Sequence, residues 1–378
     1  MLCLRNHDDD GPLGAPHDCS QASPSPGQAK RRGRITIAAA LTGSVVLLAA
    51  CGSSGGSGSN KAGPLTFVSY GGPLQENLET AWQKPYTAAT GTQFRNDGPS
   101  DPAKLKTMVE AGKVSWDVVD LGSSFAAQNC GTYVTKLDLS QVDTKKFPPG
   151  TVTDCGVPAF FYGLTFMYNT KKYGDNPPTK IADFFDTAKF PGGRLLPPDI
   201  DTGPLEDALL ADGVPVEGLY PLDVNRALKK LDGIKADTTF AATNSQMQQA
   251  MVGDQVDMAL IVTARAESAI KAGATFKPVW DKTILSSDSL VIPKGSPHVD
   301  EALKFITFTA EPAQSAKFTE LASVLPSNSD AKPSLDETQD ALNPNLPGRK
   351  DGVVVSDVSW WAKNLDAVTK QYAAWMAG

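Results

Sequence analysis

The chain has 378 residues, a formal net charge of −7 and 20% charged residues. Such a charge balance gives no basic footprint for nucleic acid. The length admits two domains or one bilobal unit with two cores, and the apolar content is that of an ordinary globular protein.

The amino-terminal 50 residues read as a leader. Residues 1–29 are rich in Asp, Pro and Ser, have no apolar periodicity and read as disordered. The cationic cluster Lys30-Arg31-Arg32-Gly33-Arg34 then precedes an apolar run from Ile35 to Ala50. A positive segment, a short apolar run and small residues before a cysteine form a secretory signal. The run is about 16 residues, short of the roughly 20 that a spanning helix needs. Leu48-Ala49-Ala50-Cys51 looks like the lipobox of bacterial lipoproteins, in which that cysteine is acylated and becomes the new amino terminus. The Gly/Ser-rich residues 52–60 form a flexible coil, suited to a tether over 51–63. A signal anchor with an incidental Cys51 is the alternative. Cys3 and Cys19 fall in the leader, which leaves Cys130 and Cys155 in the folded part. Two cysteines in an exported chain favour a disulfide, although sequence alone leaves two free thiols open.

The mature chain reads as α/β. Leu65–Tyr70 is a first strand ending in Gly71-Gly72, and Pro73 suits a helix's first turn. An amphipathic stretch runs to Thr90, where Gly91 stops it. Asp101-Pro102 caps and starts the next helix, which stops at Gly112. Trp116–Leu121 is a short buried strand opening into Gly122-Ser123-Ser124. This alternation implies parallel βαβ units. Val157–Asn169 is a long apolar-aromatic strand crossing between lobes. Helices follow at Leu205–Leu210 and Gln246–Val252, then strands at Val256–Val262 and Ser289–Ile292. Val299–Thr309, Pro312–Leu321 and a last stretch from Trp360 to Met376 are helical, the Trp360-Trp361 pair serving packing.

Several segments carry a resemblance: Ser69-Tyr70-Gly71-Gly72, Trp116-Asp117-Val118-Val119, Tyr162-Gly163 leading to Tyr168-Asn169-Thr170, Pro178 to Asp186, Phe190 to Arg194, Gly253 to Ala259, Asp288 to Gly295, and Trp360 to Asn364. In this order they resemble the polyamine (spermidine/putrescine)-type extracellular solute-binding lipoproteins of bacterial ABC importers, over nearly all of residues 64–378. The resemblance implies a two-lobed, periplasmic-binding-protein-like type II fold with a ligand cleft between the lobes. Residues 64–163 and 264–310 would form lobe 1, and residues 164–263 and 311–378 lobe 2. It further implies a monomer on the extracytoplasmic face, held through Cys51, that binds a small-molecule solute without a cofactor or metal and meets the importer's permease subunits.

The candidate ligand-binding residues follow from strand ends, where such clefts form. Tyr70 and Gly71 close the first strand, Ser123 and Ser124 follow the Trp116–Leu121 strand, and Tyr162 lies on the crossing strand. Asp199 aligns with a carboxylate that polyamine binders use for an ammonium group, and Asp288 opens the Asp-Ser-Leu-Val strand. A packed tyrosine, a helix cap or an exposed loop acid would explain each of these without a ligand. Two departures count against a polyamine. Val262 stands where family members have a tryptophan, and Ile284-Leu285-Ser286-Ser287 lacks the aromatics of a polyamine site. A polyamine cage needs aromatic faces and acids, whereas Arg265 near the cleft would pair with carboxylate or phosphonate. The reading is therefore a binder of a polyamine-like or related organic solute, with an anionic or zwitterionic solute, amino-acid-like or aminophosphonate, as the alternative. An exported hydrolase is the rival class. It would depend on His298, the single histidine of the folded part, and the sequence holds no nucleophile elbow and no metal-ligand spacing.

Overall fold

The computed structural model describes residues 63–378. The leader, Cys51, Cys3, Cys19 and the Gly/Ser tether up to residue 62 lie outside the described residues. In chain order the strands are β1 (Leu65–Val68), β2 (Phe94–Asp97), β3 (Val118–Gly122), β4 (Val157–Asn169), β5 (Arg194–Leu196), β6 (Thr238–Phe240), β7 (Met258–Val262), β8 (Phe276–Val291), β9 (Leu325–Pro326) and β10 (Val353–Val355). The helices before the second lobe are α1 (Gly72–Leu78), α2 (Lys84–Thr90), α3 (Pro102–Glu110) and α4 (Ser123–Gln128). They continue with α5 (Thr170–Tyr173), α6 (Ile181–Phe184), α7 (Pro204–Ala211), α8 (Val224–Asp232), α9 (Asn244–Val252) and α10 (Thr263–Lys271). The last four are α11 (Val299–Thr309), α12 (Pro312–Ala322), α13 (Glu337–Ala341) and α14 (Val358–Ala377).

Local chemistry accounts for many of these bounds. Gly91 ends α2 in the left-handed conformation (φ 79°), which costs glycine little. The Asp101 carboxylate accepts from the backbone N–H of Ala103 at 2.8 Å and of Lys104 at 3.2 Å, capping α3. Between α1 and α2 the helix widens into a π-helical segment, Glu79–Gln83, which seats Trp82 in the core with its indole N–H on the Gln314 carbonyl at 3.1 Å.

The strands run in the order β2-β1-β3-β8-β4-β7-β5-β6, with β10 beside β8 and β9 beside β4. Pairing is parallel at the two flanks, where β1 pairs with β2 and β3, and β5 with β6 and β7. It is antiparallel in the middle, from β3 through β8 and β4 to β7. Strands β4 and β8 pass through both lobes. The start of β4 pairs with the end of β8, which itself lies on β3 of lobe 1. The end of β4 pairs with β7 of lobe 2 and with the start of β8.

Each lobe has its own core. Lobe 1 packs Phe67, Trp82, Phe160, Phe305 and Phe318 together, with Trp116, Val119 and Val291 on the sheet's other side. Lobe 2 packs Phe166, Phe184, Leu205, Leu260 and Trp361, and separately Met247, Met251, Ala259 and Ala266. Cys130 and Cys155 are joined by a disulfide within lobe 1, closing a 25-residue separation.

The packing corrects the expected partition. Residues 264–310 do not all belong to lobe 1, because α10 and the start of β8 join lobe 2 through Ala266, Ala269 and Phe276. Helix α12, expected in lobe 2, buries Phe318 in the lobe 1 core. The later part of the carboxy-terminal segment does join lobe 2, through Leu342, through Val354 of β10 and through Trp361, Val368 and Tyr372 of α14. The expected Ser289–Ile292 strand is the last part of β8, which begins at Phe276 and forms the second crossing strand.

Candidate functional site

A cavity of about 510 Å³ lies between the lobes. Tyr70, Gly71, Tyr162, Asp199, Arg265 and Asp288 all line it. Tyr70 follows β1 and is 46% exposed, its ring forming one wall. Gly71 (φ 78°) turns the chain from β1 into α1, a conformation that L side chains rarely adopt. Tyr162 sits midway along β4, where the strand passes from one lobe to the other. The Asp199 loop is drawn against β8 by Gly203 (φ 123°), whose absent Cβ would stand 2.7 Å from the Ile284 side chain. Arg265 extends from the first turn of α10 and has no ion-pair partner among the described residues.

Ser123 and Ser124 do not line this cavity. They lie beside it, around a small hydroxyl-rich void shared with Asp201, Ser286 and Ser287. The Ser123 hydroxyl is 2.8 Å from that of Ser287 and 2.7 Å from that of Ser289, so β8 occupies its bonding capacity. Ser124 Oγ donates to the Asp201 carboxylate at 2.8 Å and so ties lobe 1 to the lobe 2 loop. Ser123 thus fixes α4 to β8 and Ser124 joins the two lobes, where ligand contact was expected of both.

Asp120 and Lys271 were not among the candidates. Asp120 is fully buried on β3, behind the cavity wall, and accepts from Ser69 Oγ at 3.0 Å. Its Oδ1 has no partner among the described residues. The acid in the Trp116-Asp117-Val118-Val119-Asp120-Leu121 run was the available signal, since a carboxylate inside a buried strand needs a reason. Lys271 lines the cavity but is committed to Glu267 and to Asp336, the latter at 2.7 Å.

The electrostatics of the two walls differ. Burial raises the carboxyls of Asp199, Asp201 and Asp288 above their usual range. Asp120 and Asp201 push Asp288 up further, and burial brings Asp120 to about 7. Burial and the surrounding carboxylates also raise the Tyr162 phenol. No protein cation neutralises this acidic end among the described residues, while Arg265 supplies a cation on the α10 wall. The acids are suited to gather an ammonium group, and a guanidinium can hold a carboxylate bidentately.

His298 lies outside the cavity. Its Nδ1 is 3.1 Å from Asp117 Oδ1, the same oxygen that accepts from Ser296 Oγ at 2.6 Å. Both groups converge on one carboxylate at the base of lobe 1. Among the described residues the His298 ring meets the Asp117 carboxylate, not a serine hydroxyl such as a hydrolytic triad pairs with its histidine.

Comparison with known proteins meets this geometry. Residues 81–345 match the family described as bacterial extracellular solute-binding protein. The chain belongs to that family. A gamma-aminobutyric acid-binding protein of Pseudomonas aeruginosa is 31% identical over 321 residues, covering 83% of this chain and 91% of the relative. The solved structure of a receptor for gamma-aminobutyric acid (GABA) is 35% identical with a TM-score of 0.76, covering 83% of this chain and 97% of the other. The binding protein AgtB of A. tumefaciens R10, solved with agropinic acid, is 33% identical with a TM-score of 0.72, covering 84% and 99% of the two chains. The relatives that carry names are binding proteins and receptors. Among the described residues of this family member, no helix is long and apolar enough to cross a membrane.

Proposed function

We propose that the protein is the extracytoplasmic receptor of an ABC importer for a small zwitterionic, amino-acid-like solute of the GABA type. One observation carries this reading: unneutralised acids at one end of the interlobe cavity and a free Arg265 on its α10 wall. A zwitterion presents complementary ends to both. The GABA relatives, at 31% and 35% identity, support it over the polyamine reading. A polyamine would find acids and the rings of Tyr70 and Tyr162, but would also meet the like charge of Arg265. The solute would be handed to the permease subunits, and Cys51 would carry the lipid anchor that keeps the monomeric receptor at the outer face of the membrane.

Calorimetric titration with GABA and with putrescine tests the ligand. GABA should bind, and Arg265→Ala should weaken it more than it weakens any diamine. Tight putrescine binding that improves in Arg265→Ala would restore the polyamine reading and discard this one.

A further inference from the structure

Asp120 and Asp288 lie on neighbouring antiparallel strands. Gly122 is directly opposite Asp288 in the β3–β8 register. Asp120 is two residues back on the same face, a diagonal neighbour within side-chain reach. Gly122 places no side chain between them. Asp288 is 7% exposed and lines the cavity, while Asp120 is sealed beneath it with its Oδ1 unpartnered among the described residues. The charged and titratable groups facing this pair are Tyr70 beyond β1, Tyr162 on β4, Asp199 and Asp201 in the loop before α7, and Arg265 across the cavity on α10. Lys271 also lines the cavity from α10 but is paired with Glu267 and Asp336. The groups on the pair's own side are acidic or neutral, so two bare carboxylates here would have no nearby countercharge there.

We infer that Asp120 is a positioning residue of the cleft: with Asp288 it retains a proton in the empty site, and the entering ammonium displaces that proton. The ammonium is that of the proposed zwitterionic solute, so this step rests on that reading. The balance is simple. A carboxylic acid of the pair loses its proton to solvent, and the resulting carboxylate accepts a charge-assisted hydrogen bond from the ligand's ammonium. The ammonium brings one positive charge to the acidic end as one proton leaves it, so the charge there is unchanged, while the ligand's carboxylate lies toward Arg265. A neutral isostere of the solute cannot make this exchange, so the pair selects for a cationic nitrogen. The elevated proton affinity of both acids, caused first by burial, is consistent with this arrangement.

The test has a ligand-free and a liganded arm, both on the full chain. In the first, thermal stability is followed from pH 5 to pH 8 for the wild type, Asp120→Asn and Ser69→Ala. The wild type should lose stability with rising pH relative to Asp120→Asn, because a group held protonated by the fold costs more as pH passes its folded value. Ser69→Ala removes a donor to the ionised form and should move that loss to higher pH, a readout that survives if Asp120→Asn fails to fold. In the second, GABA is titrated calorimetrically at one pH in two buffers of different ionisation heat. The wild type should release close to one proton, its affinity rising up to about tenfold per pH unit, and Asp120→Asn should release less. A constant stability gap across pH, or GABA binding with no proton release, overturns the inference while leaving the receptor reading intact. If GABA and related zwitterions fail to bind, the receptor reading falls, and the ligand-free arm still decides whether Asp120 holds the proton.

Discussion

Both lobes bury a pair of carboxyls, in opposite settings. In lobe 2, Glu206 and Asp207 open α7 and are almost wholly enclosed. Glu206 Oε1 accepts from the Tyr220 hydroxyl at 2.6 Å and from the Trp361 indole N–H at 2.8 Å, which fastens α14 and the Tyr220 loop to α7. In lobe 1, Asp120 has one hydroxyl donor and Asp288 faces open space. Burial alone does not make a site. In lobe 2 the protein's own donors take Glu206 Oε1, while Glu206 Oε2 and both Asp207 oxygens are sealed without a hydrogen-bond partner among the described residues. In lobe 1 Asp288 borders the cavity, where an entering group can meet its charge.

Breaking the enclosed pair should have the largest effect. Glu206→Ala leaves two buried donors unpaired and opens a cavity, and should cost about 3–5 kcal/mol in chemical denaturation. Glu206→Gln keeps the accepting oxygen and should cost far less at pH 5. Burial lifts the Glu206 carboxyl to about 7, above its unfolded value. Its contribution is therefore fully present below the unfolded value and declines as pH rises through about 7, so the wild type should lose stability over that span and Glu206→Gln should lose less.

Lobe 1 depends instead on its covalent tie. Replacing Cys130 and Cys155 by Ser should cost about 3 kcal/mol, since the bridge closes a 25-residue separation. A calorimetric scan with an unchanged melting temperature would contradict this. Arg265→Ala should leave stability within about 0.5 kcal/mol and weaken GABA by roughly 10- to 100-fold through loss of the carboxylate's partner. The smallest effect is expected of Ser124→Ala, which cuts the interlobe hydrogen bond to Asp201. It should lower ligand affinity about fivefold, a loss near 1 kcal/mol, with the unliganded melting point nearly unchanged.

Periodicity and caps made much of the fold legible. Val157–Asn169 read as one crossing strand because thirteen residues of it are nearly all apolar or aromatic, and β4 has those bounds. Its partner β8 was legible only at Ser289–Ile292. Its first half is half-exposed and carries Lys277, Asp281 and Lys282, so nothing in composition marked it as the second crossing. The lobe boundaries failed for a related reason: α10 follows β7 without a linker, and which core it joins depends on contacts distant in sequence. In the site, Arg265 was found as a departure from a pattern. Asp120 was passed over although an acid inside a buried strand was a signal; that it neighbours Asp288 comes from a register with β8 that local sequence does not encode. Ser123 and Ser124 had the expected strand-end position, but the hydroxyls of β8 and the Asp201 carboxylate had already taken them.

The two crossing strands are hydrogen-bonded to each other along most of their shared length, with register shifts between Pro158 and Phe160 and between Thr165 and Met167. A paired ribbon of this kind flexes across its face far more easily than it shears along its length. Any opening and closing of the lobes would then follow a single coordinate, like the leaves of a spring-hinged book. A permease that senses only the spacing of the two lobe tips would in effect be reading whether a solute of the right length is between the pages.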